Sequence, residues 1–115
     1  MKIKVDGIDV IFSKYIRAKH PLCQVCGTRN STQIHHYMGR RFQSVRFSEE
    51  NAWSVCFSCH RKFHENPEWA ATMQKKRLGK GYDAFIVRAN MVVRRRDVDR
   101  ELLKMYFKQE MGKFS

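Results

Sequence analysis

Acidic side chains are scarce in this chain. Across 115 residues, 11 Asp and Glu stand against 23 Lys and Arg, a net charge of +12 at pH 7. A protein so short of acid is expected to meet a polyanion, and DNA or RNA leads that class. Long apolar runs are also missing. The first ten residues already carry charges at Lys2, Lys4, Asp6 and Asp9, and no stretch reaches the length of a signal-peptide core or a membrane span. The expectation is therefore a cytoplasmic protein with no membrane partner. Proline and glycine are few, at 2 and 6, and there is no repeat, low-complexity tract or clear linker. Its length suits one domain, 1–115, with a limited core that a metal knot would help to hold.

Cysteine is sparse too, yet its placement is informative. The 4 cysteines form two Cys-x-x-Cys pairs, Cys23/Cys26 and Cys56/Cys59. In a reducing compartment these are thiols or thiolates, so the spacing points to metal or redox chemistry. Two pairs flanking histidines fit zinc better than a redox dithiol. Two tight turns would each present two sulfurs and complete a tetrahedron with Zn–S bonds of about 2.3 Å. Four thiolates leave no open position, so this zinc would be structural. The 29 residues between the pairs are then a folded insert whose ends the zinc pins together.

Histidines supply a second set of donors. His60 and His64 lie four apart, on one face of a helix. His35 and His36 are adjacent; on a strand they point to opposite sides, so one can face a metal while the other faces substrate and acts as a base. His20, before Pro21, lacks such company and reads as facing solvent or backbone.

Local patterns predict a hairpin around Asp6-Gly7, with Ile3 and Val5 facing Ile8 and Val10. A helical stretch through Phe12, Tyr15 and Ile16 follows, up to Pro21. Ser31 to His36 and Trp53 to Val55 read as short strands, and His60 to Glu65 as a helix ended by Asn66-Pro67. Pro67 opens a further helix, Glu68 to Leu78, stopped by Gly79. Tyr82 to Arg95 is apolar-basic and helical in pattern, with Val92-Val93 against it. Asp97 to Met111 places Leu102, Leu103, Tyr106, Phe107 and Met111 on one face. That stripe is read first as core, with a dimer face as the alternative; monomer and homodimer both stay open.

The whole block, Cys-x2-Cys, His-His, Asn-x4-Cys-x2-Cys-His-x3-His, runs through Cys23, Cys26, His35, His36, Asn51, Cys56, Cys59, His60 and His64. It resembles the zinc-bound branch of the HNH endonucleases over about forty residues. Ile34, Ala52 and Val55 fit as well. The resemblance implies an α+β fold built on a ββα-metal finger, spanning 20–66, with an N-terminal hairpin and helix and a helical extension at 67–115. It implies that His35 is a metal ligand, His36 the general base, Asn51 the brace of the loop that orients His36, and His60 and His64 further ligands. It also implies cleavage of DNA with one divalent ion, leaving 5′-phosphate and 3′-hydroxyl ends. Imidazole donors suit Zn, Ni or Mn more than Mg.

A narrower resemblance covers more of the chain. His36-Tyr37-x-Gly-Arg-Arg, Arg46-Phe47-x3-Asn51, Phe12-Ser-Lys-Tyr-Ile-Arg17 and Tyr106-Phe107-Lys108 are similar to the lambda-type NinG/Rap phage recombination nucleases, which implies branched or nicked DNA as substrate. The chain departs from that family at His60, directly after the second pair. Arg40, Arg41 and Arg46, between base and asparagine, are expected to grip phosphates, because guanidinium forks match phosphate geometry. Lys75, Lys76, Arg77 and Arg94 to Arg96 are expected to extend that footprint. The alternative from the same residues is a zinc module that binds nucleic acid without cutting it, and a redox or metal-sensing regulator is a third.

Overall fold

The computed structural model describes residues 5–114. An antiparallel pair of strands, β1 (Gln33–His36) and β2 (Ala52–Val55), sits between two helical layers. Their register places Gln33 opposite Val55, Ile34 opposite Ser54, His35 opposite Trp53 and His36 opposite Ala52. Side chains alternate across a strand, so the two faces bury different partners. Ile34 and Ala52 pack with Ile8, Phe12, Tyr15 and Ile16 of helix α1 (Gly7–Lys19) and Phe107 of helix α5 (Arg100–Met111). Trp53 and Val55 pack with Cys23, Cys56 and Phe63 of helix α2 (Phe57–Glu65), and with Ala70 of helix α3 (Pro67–Leu78). All four residues of β2 are buried, as a strand covered on both faces requires. The architecture is α+β, and no helix among the described residues is long and apolar enough to cross a membrane.

The expected N-terminal hairpin is not formed. Ile3 lies outside the described residues, and Ile8 and Val10 belong to α1. Asp6 is the N-cap: its carboxylate accepts from the amides of Ile8 (3.1 Å) and Asp9 (3.4 Å), and the Asp9 carboxylate accepts from the Asp6 amide (2.8 Å). This reciprocal capping box satisfies donors that a helix start leaves orphaned. Ile8, Phe12, Tyr15 and Ile16 then recur at helical period and reach the core. An Asp-Gly pair is a hairpin signal only when no helical stripe follows it.

Two other boundaries differ. Helix α4 (Tyr82–Ala89) stops before the β-branched Val92 and Val93, and a 3-10 turn, Arg95–Asp97, precedes α5. Asp99 caps α5 by accepting from the Leu102 amide at 3.0 Å. On α5, Phe107 is buried, with Leu103 and Met111 packed beside it, whereas Leu102 is 61% and Tyr106 49% exposed. The buried stripe is therefore i, i+4, i+8 and narrower than the five-residue face expected. Pro67 opens α3, and Gly79 ends it at φ 54°, a conformation that favours glycine.

Candidate metal centres and the cleft beside the histidines

The sulfurs of Cys23, Cys26, Cys56 and Cys59 lie within 4.8 Å of one another. A tetrahedral zinc with ~2.3 Å bonds needs sulfurs about 3.8 Å apart, so the four thiols fit that ion. Local backbone builds each pair. The amide of Gly27 donates to the Cys23 carbonyl at 2.9 Å with Gly27 at φ 69°, a tight turn that aims Cys23 and Cys26 to one side. Cys56 is the N-cap of α2 and Cys59 lies in its first turn.

Donors already surround the sulfurs. Val25 N–H points at Cys23 Sγ (3.4 Å) and the Thr28 hydroxyl at Cys26 Sγ (3.6 Å). The Thr28 amide, the Thr28 hydroxyl and the Arg29 amide together lower the Cys26 thiol to about 6. Burial and the neighbouring thiols push Cys59 up to about 12. Four sulfurs so close cannot all ionise without a cation between them, which is the condition zinc relieves. The same region is tied to β2 by Gln24 N–H to the Ser54 carbonyl (2.8 Å) and Ser54 N–H to Gln24 Oε1 (2.7 Å).

The second cluster is His35, His60 and His64, whose ring nitrogens also come within 4.8 Å of one another. His35, on β1, is buried and stacks on Phe63 with centroids 4.5 Å apart and planes 16° from parallel. His60 and His64 project from one face of α2, and their Nε2 atoms approach to 3.1 Å. Burial, then the proximity of the other imidazoles, lowers His35 to about 3; burial and His64 lower His60. Three imidazoles are crowded into one place, and the set fits a divalent cation held by them. His60 Nδ1 contacts Gln33 Oε1. That contact fixes the ring so that Nε2 faces the cluster.

His36 points the other way from β1, toward α1, with its ring 6.1 Å from that of Phe12. The ring's Nε2 is buried without a hydrogen-bond partner. Burial, then the charge of Arg40, lowers His36 to about 4. Both strand histidines nevertheless border one cleft of about 260 Å³, shared with Ile34, Gly39, Arg40, His60 and His64. Asn51 is fully buried. It pairs with the main chain of Met38 through two hydrogen bonds, and its own carbonyl accepts from Tyr37 N–H at 2.8 Å. The turn after His36 is thereby fastened to the start of β2.

The arginines separate. Arg40 borders the cleft, with Nε 3.6 Å from Asp9 Oδ1. Arg41 is exposed over the Phe42 ring. Arg46 is 0% exposed and grips Asp9, Nε to Oδ1 at 3.1 Å and a terminal nitrogen to Oδ2 at 2.5 Å. The expectation that Arg46 grips phosphate is corrected: a guanidinium forked onto a buried carboxylate has no surface to offer. Arg77 is likewise occupied. It donates to the carbonyls of Ala52 (2.7 Å) and Glu50 and lies over Trp53 at 4.1 Å. Lys75, Lys76, Arg94, Arg95 and Arg96 lie toward solvent along the helices and the turn before α5, although Arg95 pairs with Asp6 at 3.2 Å. The His20 carbonyl accepts from the buried Ser54 hydroxyl at 2.9 Å, so this residue's role here is through its backbone.

Two residues at the site have no signal in donor spacing. Gln33 shares a strand face with His35, two positions on, and that i, i+2 relation is the one clue to it. Asp9 meets Arg40 behind the cleft only because α1 packs on the sheet. No family model, curated protein or solved structure matches the chain.

Proposed function

We propose that this protein is a metal-dependent DNA endonuclease of the HNH type, with β1, β2 and α2 as its ββα-metal finger and a four-cysteine zinc as its scaffold. One observation carries the reading. His36 presents a buried, unpartnered Nε2 beside a cleft in which His35, His60 and His64 converge. A pure nucleic-acid binder has no need of three clustered imidazole donors with a fourth histidine beside them.

The chemistry follows from the residues. His35, His60 and His64 would hold the divalent ion, which when bound supplies charge neutralisation at the scissile phosphate. His36 is uncharged at neutral pH, and its Nε2 lone pair accepts a proton from water. The water oxygen bonds to phosphorus, the bond from phosphorus to the 3′-oxygen breaks, and that oxygen takes a proton from solvent. Phosphate entering beside the ring favours the imidazolium and so raises the basicity of His36 when substrate is present. Arg40 lies at the same cleft to pair with the phosphate. Asn51 holds the Tyr37–Met38 turn, and with it the end of the strand that carries His36. Net charge steers the polyanion to the surface. Branched DNA of the kind processed in phage recombination is the substrate class we favour, in line with the narrower resemblance.

The test is cleavage of supercoiled plasmid, linear duplex and four-way junction with Mg, Mn, Ni and Zn in turn. We expect cutting in at least one ion, fastest on the junction, and a loss of roughly 10²–10⁴-fold in His36→Ala with zinc content unchanged. Binding to DNA without cutting in any ion would leave a zinc-bearing nucleic-acid module instead.

A further inference from the structure

We infer that Gln74 and Arg77 of α3 are positioning residues for the candidate site: they clamp the main chain at Glu50 and Ala52, on either side of Asn51, and so set how Asn51 pins the turn at Met38. The consequence for cutting rests on the endonuclease reading; the geometry does not.

Gln74 is 0% exposed, on a helix that Ala70 and Met73 already seat in the apolar cluster of Trp53 and Phe63. Both ends of its amide are engaged. The indole N–H of Trp53 donates to Oε1 at 2.7 Å, and Nε2 donates to the Glu50 carbonyl at 2.7 Å. An indole N–H only donates and a carbonyl only accepts, so the amide has one workable orientation. One turn on, Arg77 lies over the Trp53 ring, 4.1 Å from its centroid. Its terminal nitrogens donate to the Ala52 carbonyl (2.7 Å), to the Glu50 carbonyl and to Gln74 Oε1 (3.2 Å). The two side chains thus hold each other as well as the main chain, and a planar fork held at several points cannot turn.

The places gripped are informative. Glu50 and Ala52 flank Asn51. Asn51 N–H donates to the Ser48 carbonyl at 3.1 Å, and the Asn51 carbonyl accepts from Tyr37 N–H at 2.8 Å. With both neighbours held from α3, the Asn51 side chain is kept facing Met38, whose N–H and carbonyl it pairs. Gly39 and Arg40 follow Met38 directly, and both border the cleft. Helix α3 lies outside the two strands and α2 that carry the histidines, yet it reaches the cleft wall through this chain of hydrogen bonds. A helix that needed only to adhere to the sheet could do so with apolar side chains, since buried polar partners replaced together by apolar groups of matching shape are often neutral to stability. A fixed direction for the Glu50–Ala52 main chain is what the polar version adds.

The experiment uses the full-length, zinc-loaded chain, with Gln74→Glu, Gln74→Met and Arg77→Met beside the parent, each alone and combined with Asn51→Asp. Gln74→Glu keeps the acceptor for Trp53 and Arg77 but cannot donate to the Glu50 carbonyl; Gln74→Met keeps the volume and loses both bonds. Native-state amide exchange is read at Met38 and, as the control for general loosening, along α1 and α5. We expect Met38 to exchange at least about tenfold faster in the three single variants, with α1 and α5 unchanged. Plasmid cutting should fall by roughly tenfold in each. Each double variant should cut no more slowly than Asn51→Asp alone, because both changes break one chain of contacts. Parent-like protection of Met38 in folded Gln74→Glu overturns the inference. So do losses that multiply in the double variants, since Gln74 and Arg77 would then act apart from Asn51. A raised KM at unchanged kcat in Arg77→Met, with a shallower salt dependence, would return Arg77 to the DNA surface and overturn its part. If the parent cuts no DNA, the endonuclease reading fails, and exchange at Met38 still decides the role of α3.

Discussion

Asn51 and Met38 are joined like paired amides: Met38 N–H donates to Asn51 Oδ1 at 2.7 Å, and Asn51 Nδ2 donates to the Met38 carbonyl at 2.9 Å. The pairing ties the two ends of the long β1–β2 connection and leaves neither polar group of Met38 unpaired. Asn51→Asp should break half of it, because a carboxylate cannot donate to the Met38 carbonyl. We expect a loss of about 1–3 kcal/mol in urea unfolding. Plasmid cutting should drop by at least about tenfold, the size of a modest loss of orientation at a general base. Asn51→Gln should not restore it, its longer side chain overreaching the turn.

Gln33 is expected to matter to metal binding rather than to folding. Its amide oxygen meets Nδ1 of His60, the nitrogen turned away from the other imidazoles. Gln33→Ala should weaken divalent-ion affinity by roughly 10–100-fold in titration calorimetry. The structural zinc, measured separately by metal analysis, should be untouched. An unchanged affinity would show that His60 holds its orientation without help.

Arg41 and Arg46 are five residues apart and should behave oppositely. Arg46→Ala strands a buried Asp9 carboxylate, which costs about 3–5 kcal/mol. Arg41→Ala should leave the melting temperature alone and reduce the salt slope of DNA binding by about 1. A DNA-binding defect in folded Arg46→Ala that equals that of Arg41→Ala would contradict the interior placement of Arg46.

Zinc removal should unfold the region around α2. Cys23 and Cys56 are buried against Trp53, Val55 and Phe63, and without the ion nothing balances the crowded sulfurs. A strong chelator should cause loss of near-ultraviolet dichroism from Trp53 and Trp69, with release of one zinc per chain. Native thiol titration should find unreactive cysteines before chelation and 4 reactive ones after it.

Acid should cost this protein the ion pairs of Asp6 with Arg100, Arg95 and Arg46. Burial alone pushes the Asp6 carboxyl up, but the Arg100 hydrogen bond, the Arg46 charge and the Asp9 amide outweigh it and hold it below the ordinary aspartate value. A group whose folded value is depressed adds stability above its unfolded value and loses it as pH falls through the folded one. The gap in unfolding midpoint between the parent and Asp6→Asn should therefore be largest near pH 6 and shrink below about pH 4. A gap independent of pH would mean that only the cap hydrogen bonds count, since Asn keeps them.

Much of the site was legible because local backbone geometry obeys short-range rules. Cys-x-x-Cys spacing selects a turn that aims two sulfurs together, and the four do gather. Adjacent strand residues face opposite sides, and His35 turns to Phe63 while His36 turns to Phe12. A four-residue step returns to the same helix face, and His60 meets His64. Pro67 and Gly79 bounded α3 for reasons of φ alone. Local rules also misled, as at Asp6-Gly7, where two motifs share the same letters and the apolar stripe beyond them decides.

What only tertiary structure decided is who is covered. Arg40, Arg41 and Arg46 are alike in the sequence, and one borders the cleft, one meets solvent and one is sealed inside. The difference is made by Asp9, 37 positions from Arg46, on a helix that packs there because Ile8, Phe12 and Ile16 must leave water. Spacing along a chain fixes directions over a few residues. Burial depends on which distant element arrives, and that is settled by the whole apolar surface folding at once.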